Sequence, residues 1–141
     1  MENNIALKLR DSIKKHERFR KYPYTDTTGH ISIGYGRNLT SIGISETEAE
    51  IMLNDDIVNA TAELYRFLPV SQTLDDVRKA ILIEMSFNMG IENLLQFRKM
   101  IEALKQNDFK AASTAMLDSE WANQVHARAH DLAYSMETGV L

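Results

Sequence analysis

Three residues near the start of the chain carry groups that can do chemistry together. Glu17 follows an amphipathic stretch, Asp26 comes nine residues later, and Ser32 six residues after that. Tyr22-Pro23-Tyr24-Thr25 and Ile31-Ser32-Ile33-Gly34-Tyr35 have the composition of two short strands. Between them, Asp26-Thr27-Thr28-Gly29 puts Asp at position i and Gly at i+3 of a type I turn. Such a hairpin folds Ser32 back towards Asp26, so two carboxylates and a hydroxyl can border one cleft. Glycosidic-bond hydrolysis needs paired carboxyl groups in unequal surroundings. One stays protonated as an acid, and the other stays charged to place water or stabilise the cation. Spacing alone leaves a plainer reading open, because in a chain with 20 acidic residues Glu17 and Asp26 also fit a surface charge and a turn former.

Other chemistries are disfavoured. Cysteine is absent, which removes disulfide frameworks, thiol catalysis, zinc fingers and iron–sulfur clusters. His126 and His130 share a helix face, but no His-Glu-x-x-His pattern accompanies them, so they read as solvated or hydrogen-bonded histidines and neither metal nor cofactor is expected. Gly34-Tyr35-Gly36 follows a strand without a helix or a third glycine in register, so it marks a bulge or a close backbone approach rather than a dinucleotide site. No Gly-x-Ser-x-Gly elbow occurs. With 16 Lys and Arg against 20 Asp and Glu, the net charge of −4 argues against a nucleic-acid partner. No run reaches the ~20 apolar residues of a membrane span. The first residues lack the pattern of a signal peptide, so the expected location is the cytoplasm until something releases the protein.

The elements that must position these groups fit one domain of 141 residues. Residues 3–16 form an amphipathic helix with Ile5, Leu9 and Ile13 on one face. Residues 18–43 hold four of the six glycines and make a small hairpin lobe. Ser45 and Glu48 have capping-box spacing and open a helix that runs to about residue 67, before Pro69. A run from Leu74 to Met89 contains the all-apolar stretch Ala80-Ile81-Leu82-Ile83 and reads as a buried helix ended by Gly90. Further helices are expected at 92–106, 108–117 and 119–137. The expected class is α+β, mostly helical. A small hairpin sheet would be joined by an inter-lobe helix at 45–67 to a helical lobe made of 1–16 and 69–141. A cleft between unequal lobes is a usual place for a ligand. Trp121 and Phe87 read as core before ligand contact. Arg128, two turns beyond Trp121, can partner a cleft carboxylate or form a surface ion pair.

The string from His16-Glu17 through Tyr24-Thr25-Asp26-Thr27-Thr28-Gly29 to Ser32-Ile33-Gly34-Tyr35-Gly36 closely resembles the catalytic segment of the phage-type lysozymes. The resemblance continues in order through Ile44 to Glu50, Val77 to Gly90, and Ser119-Glu120-Trp121-Ala122-Asn123-Gln124 with Arg128-Ala129. It implies a lysozyme-like fold and a muramidase that cleaves the β-1,4 bond between N-acetylmuramic acid and N-acetylglucosamine, with inversion. Glu17 would protonate the leaving oxygen, Asp26 would place water or stabilise the oxocarbenium ion, and Ser32 would hold the water. Asn38, Leu39, Phe87 and Asn88 would lie along the sugar groove, with Arg37, Asp56 and Arg128 in support. The implied partner is the glycan strand of peptidoglycan, met by a monomer that reaches the periplasm and wall through a holin-type pore and lyses the host.

Two departures from the pattern carry expectations. Ser32 stands where threonine is usual, keeping the hydroxyl without the methyl that fixes its rotamer. Arg37 stands where some members have histidine, and an Arg37–Asp56 pair is expected at the junction of hairpin and helix. Two rival functions are a lytic transglycosylase, which closes an anhydro ring and needs only one carboxylic acid, and a non-catalytic peptidoglycan-binding paralogue.

Overall fold

The computed structural model describes residues 1–141. Helices hold 67% of them and the only sheet has three antiparallel strands, which is the mostly helical α+β class expected. The chain divides into two compact units, Met1–Ile51 and Met52–Leu141.

The first unit begins with α1 (Asn3–Glu17), followed by β1 (Arg20–Thr25), β2 (Ile31–Gly34) and β3 (Arg37–Asn38) in the order β1-β2-β3. Basic residues Lys14, Lys15 and His16 fill the last turn of α1, where they complement the negative end of the helix dipole. Arg18 ends the helix with φ 62, an uncommon value for a residue with a side chain. The β1–β2 turn forms as expected: Gly29 N–H donates to the Asp26 carbonyl at 3.1 Å and Gly29 takes φ 86. The β1–β2 register slips between Arg20 and Tyr24, around Pro23, which has no N–H to give to a ladder and so sits in an edge strand. The third strand has no counterpart in the sequence reading, because two residues are too short for any alternation to show.

The helix α2 (Glu46–Phe67) opens on the expected capping box. Glu48 N–H donates to Ser45 Oγ at 3.1 Å, and Ser45 N–H donates to Glu48 Oε1 at 3.0 Å.

In the second unit a 3-10 turn at Pro69–Thr73 precedes α3 (Asp76–Met89), α4 (Ile91–Leu94), α5 (Arg98–Lys105), α6 (Phe109–Leu117), α7 (Glu120–Val125) and α8 (Ala127–Thr138). Two expected helices are each divided. The 92–106 run breaks between α4 and α5, where Phe97 leaves the helix and packs edge-on against Trp121, with ring centroids 6.2 Å apart. The 119–137 run breaks at His126, whose φ of 28 lies outside helical space. Ile81 and Leu82 are fully buried, as the apolar stretch predicts, and Met85, Met100, Met116 and Met136 join them. Methionine has three rotatable bonds and a polarisable sulfur, so it fills the irregular gaps that short crossing helices leave. Each fully buried side chain of this size contributes roughly 1.5–3 kcal/mol from area alone.

One arginine ties three of these helices. Arg78 on α3 is only 12% exposed. Its Nε donates to the Met136 carbonyl at 2.7 Å and its Nη2 to the Glu137 carbonyl at 3.0 Å, satisfying carbonyls at the end of α8. Its Nη1 pairs with Asp75 at 3.0 Å, and the guanidinium lies 3.5 Å from the Phe109 ring centroid on α6. Losing the stacking and the charge-assisted hydrogen bonds together is expected to cost about 3 kcal/mol in Arg78→Met. Urea denaturation followed by fluorescence of Trp121, the single tryptophan, measures this loss within the second unit.

Candidate active site

The hairpin turn builds a binding site for one carboxylate out of its own backbone. Asp26 Oδ1 accepts from Thr28 N–H at 2.9 Å, from Thr28 Oγ1 at 2.7 Å and from His30 N–H at 2.9 Å. The Thr28 hydroxyl and the two backbone donors hold the Asp26 carboxyl below its ordinary value against a smaller desolvation effect, and the nearby His30 adds to the lowering. His30 Nδ1 lies 3.0 Å from Thr28 Oγ1. That hydroxyl already gives its one proton to Asp26, so His30 must be the donor in this contact and carries its proton on Nδ1. Asp26 was singled out by spacing. Thr28 and His30 were not, although a threonine two residues after an aspartate is a usual sequence sign of such a turn.

Ser32 lies across the hairpin, with Tyr24 as its partner on β1 and Asn38 as its partner on β3. It is the one buried residue of the three strands. Glu17 closes α1, and its carboxyl group lies against the backbone of Gly36: a Cβ added to that glycine would stand 2.9 Å from Glu17 Oε2. Gly36 has φ 80, so the close-approach reading of the Gly-x-Gly string holds at its second glycine. Gly34, at φ 68, has nothing within 4 Å of an added Cβ. Glu17, Asp26 and Ser32 thus all belong to the first unit.

The expected Arg37–Asp56 pair is corrected. Arg37 Nη2 lies 2.7 Å from Glu48 Oε2, and Arg37 Nη1 donates to Glu48 Oε1 at 2.9 Å and to the Gly43 carbonyl at 3.1 Å. Asp56 stands eight residues further along α2, about 12 Å along an ideal helix axis. Glu48 therefore serves two purposes, capping α2 and gripping the arginine beside β3. The Arg37 hydrogen bond, followed by those from the Ser45 N–H and hydroxyl, lowers the Glu48 carboxyl to about 2. Asn38 Oδ1 accepts from Ser41 N–H at 2.9 Å, which leaves the donor half of the amide for other partners. Leu39 is half-buried, and its N–H donates to the Ile31 carbonyl at 2.8 Å.

In the second unit, Asn88 Oδ1 accepts from Trp121 Nε1 at 2.8 Å, so the tryptophan fixes which way the exposed amide faces. Phe87 is 47% exposed, which corrects its reading as a core residue: it lies off the face of α3 on which Ile81, Leu82, Met85 and Ser86 are buried. Arg128 has Glu84 as its carboxylate partner, with Nε 3.1 Å from Oε1. Of the two readings left open for Arg128, this is the surface ion pair. A cavity of about 680 Å³ is lined by Phe97, Arg98, Ser119 and Trp121 among others, and by none of the expected site residues. No group of three or more His, Asp or Glu side chains is arranged to hold a metal ion.

Residues 14–132 match the phage lysozyme family. Across 94% of its length the chain is 25% identical to "Probable T4-type lysozyme 1" of Dictyostelium discoideum, and the match covers 95% of that protein. Over 99% of its length it is 24% identical to the pre-baseplate central spike protein Gp5 of Enterobacteria phage T4, where the matched part makes up 29% of a longer protein.

Two titrations check this geometry. Thr28→Val removes the strongest donor to Asp26 while keeping the side-chain shape. The Asp26 carboxyl then moves up towards its ordinary value of 3.8, read directly by carbon NMR. Glu48 has a lowered folded value, so its contribution to stability is complete above its ordinary value of 4.5 and is lost as pH falls through about 2. Wild-type amide exchange over residues 37–48 is expected to quicken across that window. In Glu48→Gln this component of the acid sensitivity disappears.

Proposed function

The chain belongs to the phage lysozyme family, and from that premise we propose that it is a muramidase with Glu17 as general acid and Asp26 as the second carboxylate. The reading is supported above all by the unequal surroundings of these two groups. Asp26 is encircled by donors that favour its charged form. The Glu17 carboxyl rests against bare backbone at Gly36. A pair set apart in this way can divide the labour of acid and base.

The substrate is the β-1,4 bond from C1 of N-acetylmuramic acid to O4 of N-acetylglucosamine. Glu17 donates its proton to O4 as the C1–O4 bond breaks, and the bonding pair leaves with the oxygen. Positive charge grows on C1 and the ring oxygen, where the Asp26 carboxylate stabilises it and orients a water for attack. Water adds to C1 on the face opposite the leaving group and passes its proton to the Asp26 carboxylate, so configuration inverts and one water is consumed; Asp26 then releases that proton to solvent and Glu17 takes one up, restoring both groups. The Ser32 hydroxyl, one strand position from the turn, holds that water. Asn38 and Leu39 are the proposed sugar contacts of the first unit, and Phe87 and Asn88 those of the second. Arg37 holds β3 to the start of α2 through Glu48, which steadies the strand that carries Asn38.

The protein acts as a monomer on glycan strands, and its 141 residues work as one catalytic domain. No helix is long and apolar enough to cross a membrane. The proposed route to the wall of a lysing host is a holin-type pore.

The test is turbidity loss of outer-membrane-permeabilised Gram-negative cells. Glu17→Gln keeps the size of the side chain and removes the acid, so the lysis rate is expected to fall about 10²- to 10⁴-fold with the fold intact by circular dichroism. Wild-type lysis by the folded variant would refute the assignment.

A further inference from the structure

We propose that Gly36 is a positioning residue for the reaction: its bare backbone is the seat of the Glu17 carboxyl group, and any side chain at position 36 displaces the acid. The inference rests on the reading of Glu17 given above.

Positive φ at Gly34 and again at Gly36 bends the β2–β3 turn sharply around Tyr35. The Tyr35 ring then meets α1 and its exit on both sides of Glu17 in sequence. Lys14 Nζ stands 5.5 Å from the ring centroid and the Phe19 ring 5.8 Å from it. Lys14 is one helical turn before Glu17 and Phe19 two residues after it. These contacts pin the turn against the end of α1, and residue 36 arrives under the carboxyl group. A Cβ there would lie 2.9 Å from Oε2, 3.2 Å from Cδ and 3.7 Å from Cγ, so the whole end of the side chain would have to move.

Glu17 is a flexible side chain, and the fold resolves the clash by rotating it. That relief is easy for the fold and damaging for catalysis, because a reacting group misplaced by about 1 Å can lose about 100-fold in rate. Gly34 separates the two roles of glycine. It shares the left-handed backbone, yet nothing lies within 4 Å of its added Cβ. Alanine at either position strains the backbone, and only alanine at 36 meets the acid.

The experiment compares Gly34→Ala, Gly36→Ala, Gly36→Asn and Glu17→Gln in the full chain, measuring Tm, kcat and KM on soluble glycan strands. Both alanine variants are expected to lose Tm to a similar degree. Gly36→Ala loses about 100-fold in kcat at unchanged KM, whereas Gly34→Ala, which strains the same turn without meeting the acid, loses far less. Asparagine tolerates positive φ better than alanine, so Gly36→Asn folds where Gly36→Ala fails, regains Tm and stays low in kcat. A kcat in Gly36→Ala equal to that of Gly34→Ala, or one that returns with Tm in Gly36→Asn, overturns the seating. Full activity in Glu17→Gln overturns the reading beneath it and the proposal together. An inactive Glu17→Gln beside a fully active Gly36→Ala overturns the seating alone.

Discussion

Two carboxyl groups of the same chemistry can take different jobs only when their surroundings differ, and in the pair proposed above that difference comes from the two turns of one small sheet. Its first turn points two N–H groups and a hydroxyl at Asp26 Oδ1. Gly29 closes that turn at φ 86, and the carbonyl of His30 accepts from Asp26 N–H at 2.8 Å. The donors are fixed before any substrate arrives, so the charge on Asp26 needs no reorganisation to be stabilised. Its second turn shapes the space beside Glu17. It brings glycine rather than a side chain under the carboxyl group. The sheet is small because its work is local. Three strands are enough to hold two turns and Ser32 in fixed register.

The second unit follows a different economy of contacts. Its stability lies in a methionine-rich core between short helices and in Arg78, which joins α3 to the end of α8 and to Phe109. Gly139 belongs to the same device, since a Cβ there would stand 3.2 Å from Arg78 Nη1. Ser113 adds a buried hydrogen bond from its hydroxyl to the Ala133 carbonyl at 2.8 Å, tying α6 to α8. A frame closed by such directional contacts fixes helix orientation more tightly than apolar packing alone, and Trp121 uses it to aim Asn88.

Much of this was legible in the sequence because the signals were local. The capping box at Ser45 and Glu48, the Asp26–Gly29 turn and the end of α3 at Gly90 each depend on neighbouring residues, and each formed as read. The buried run at Ile81 and Leu82 is also local, since it faces the interior whatever packs on it. What escaped depended on residues distant in sequence. Phe97 leaves a helix that its own sequence would continue because Trp121, 24 residues on, offers a packing surface. Arg37 was paired with Asp56, and sequence could not say that Glu48, already used as a cap, would take the arginine instead. The Gly34-Tyr35-Gly36 string was read as a bulge or a close approach, and only three-dimensional contact identifies Glu17 as what approaches Gly36. The expectations for Asn38, Leu39, Phe87 and Asn88 came from resemblance, and their amide and ring positions follow from turns and partners that no pattern encodes.

The most direct test of the account is the chemistry of the broken bond. Purified peptidoglycan sacculi digested with the wild-type protein, reduced with borohydride and analysed by mass spectrometry should yield muropeptides that end in reducible N-acetylmuramic acid, each marking one water consumed. Products ending mainly in 1,6-anhydro-N-acetylmuramic acid would contradict the two-carboxylate hydrolysis, and binding without any new ends would contradict catalysis itself.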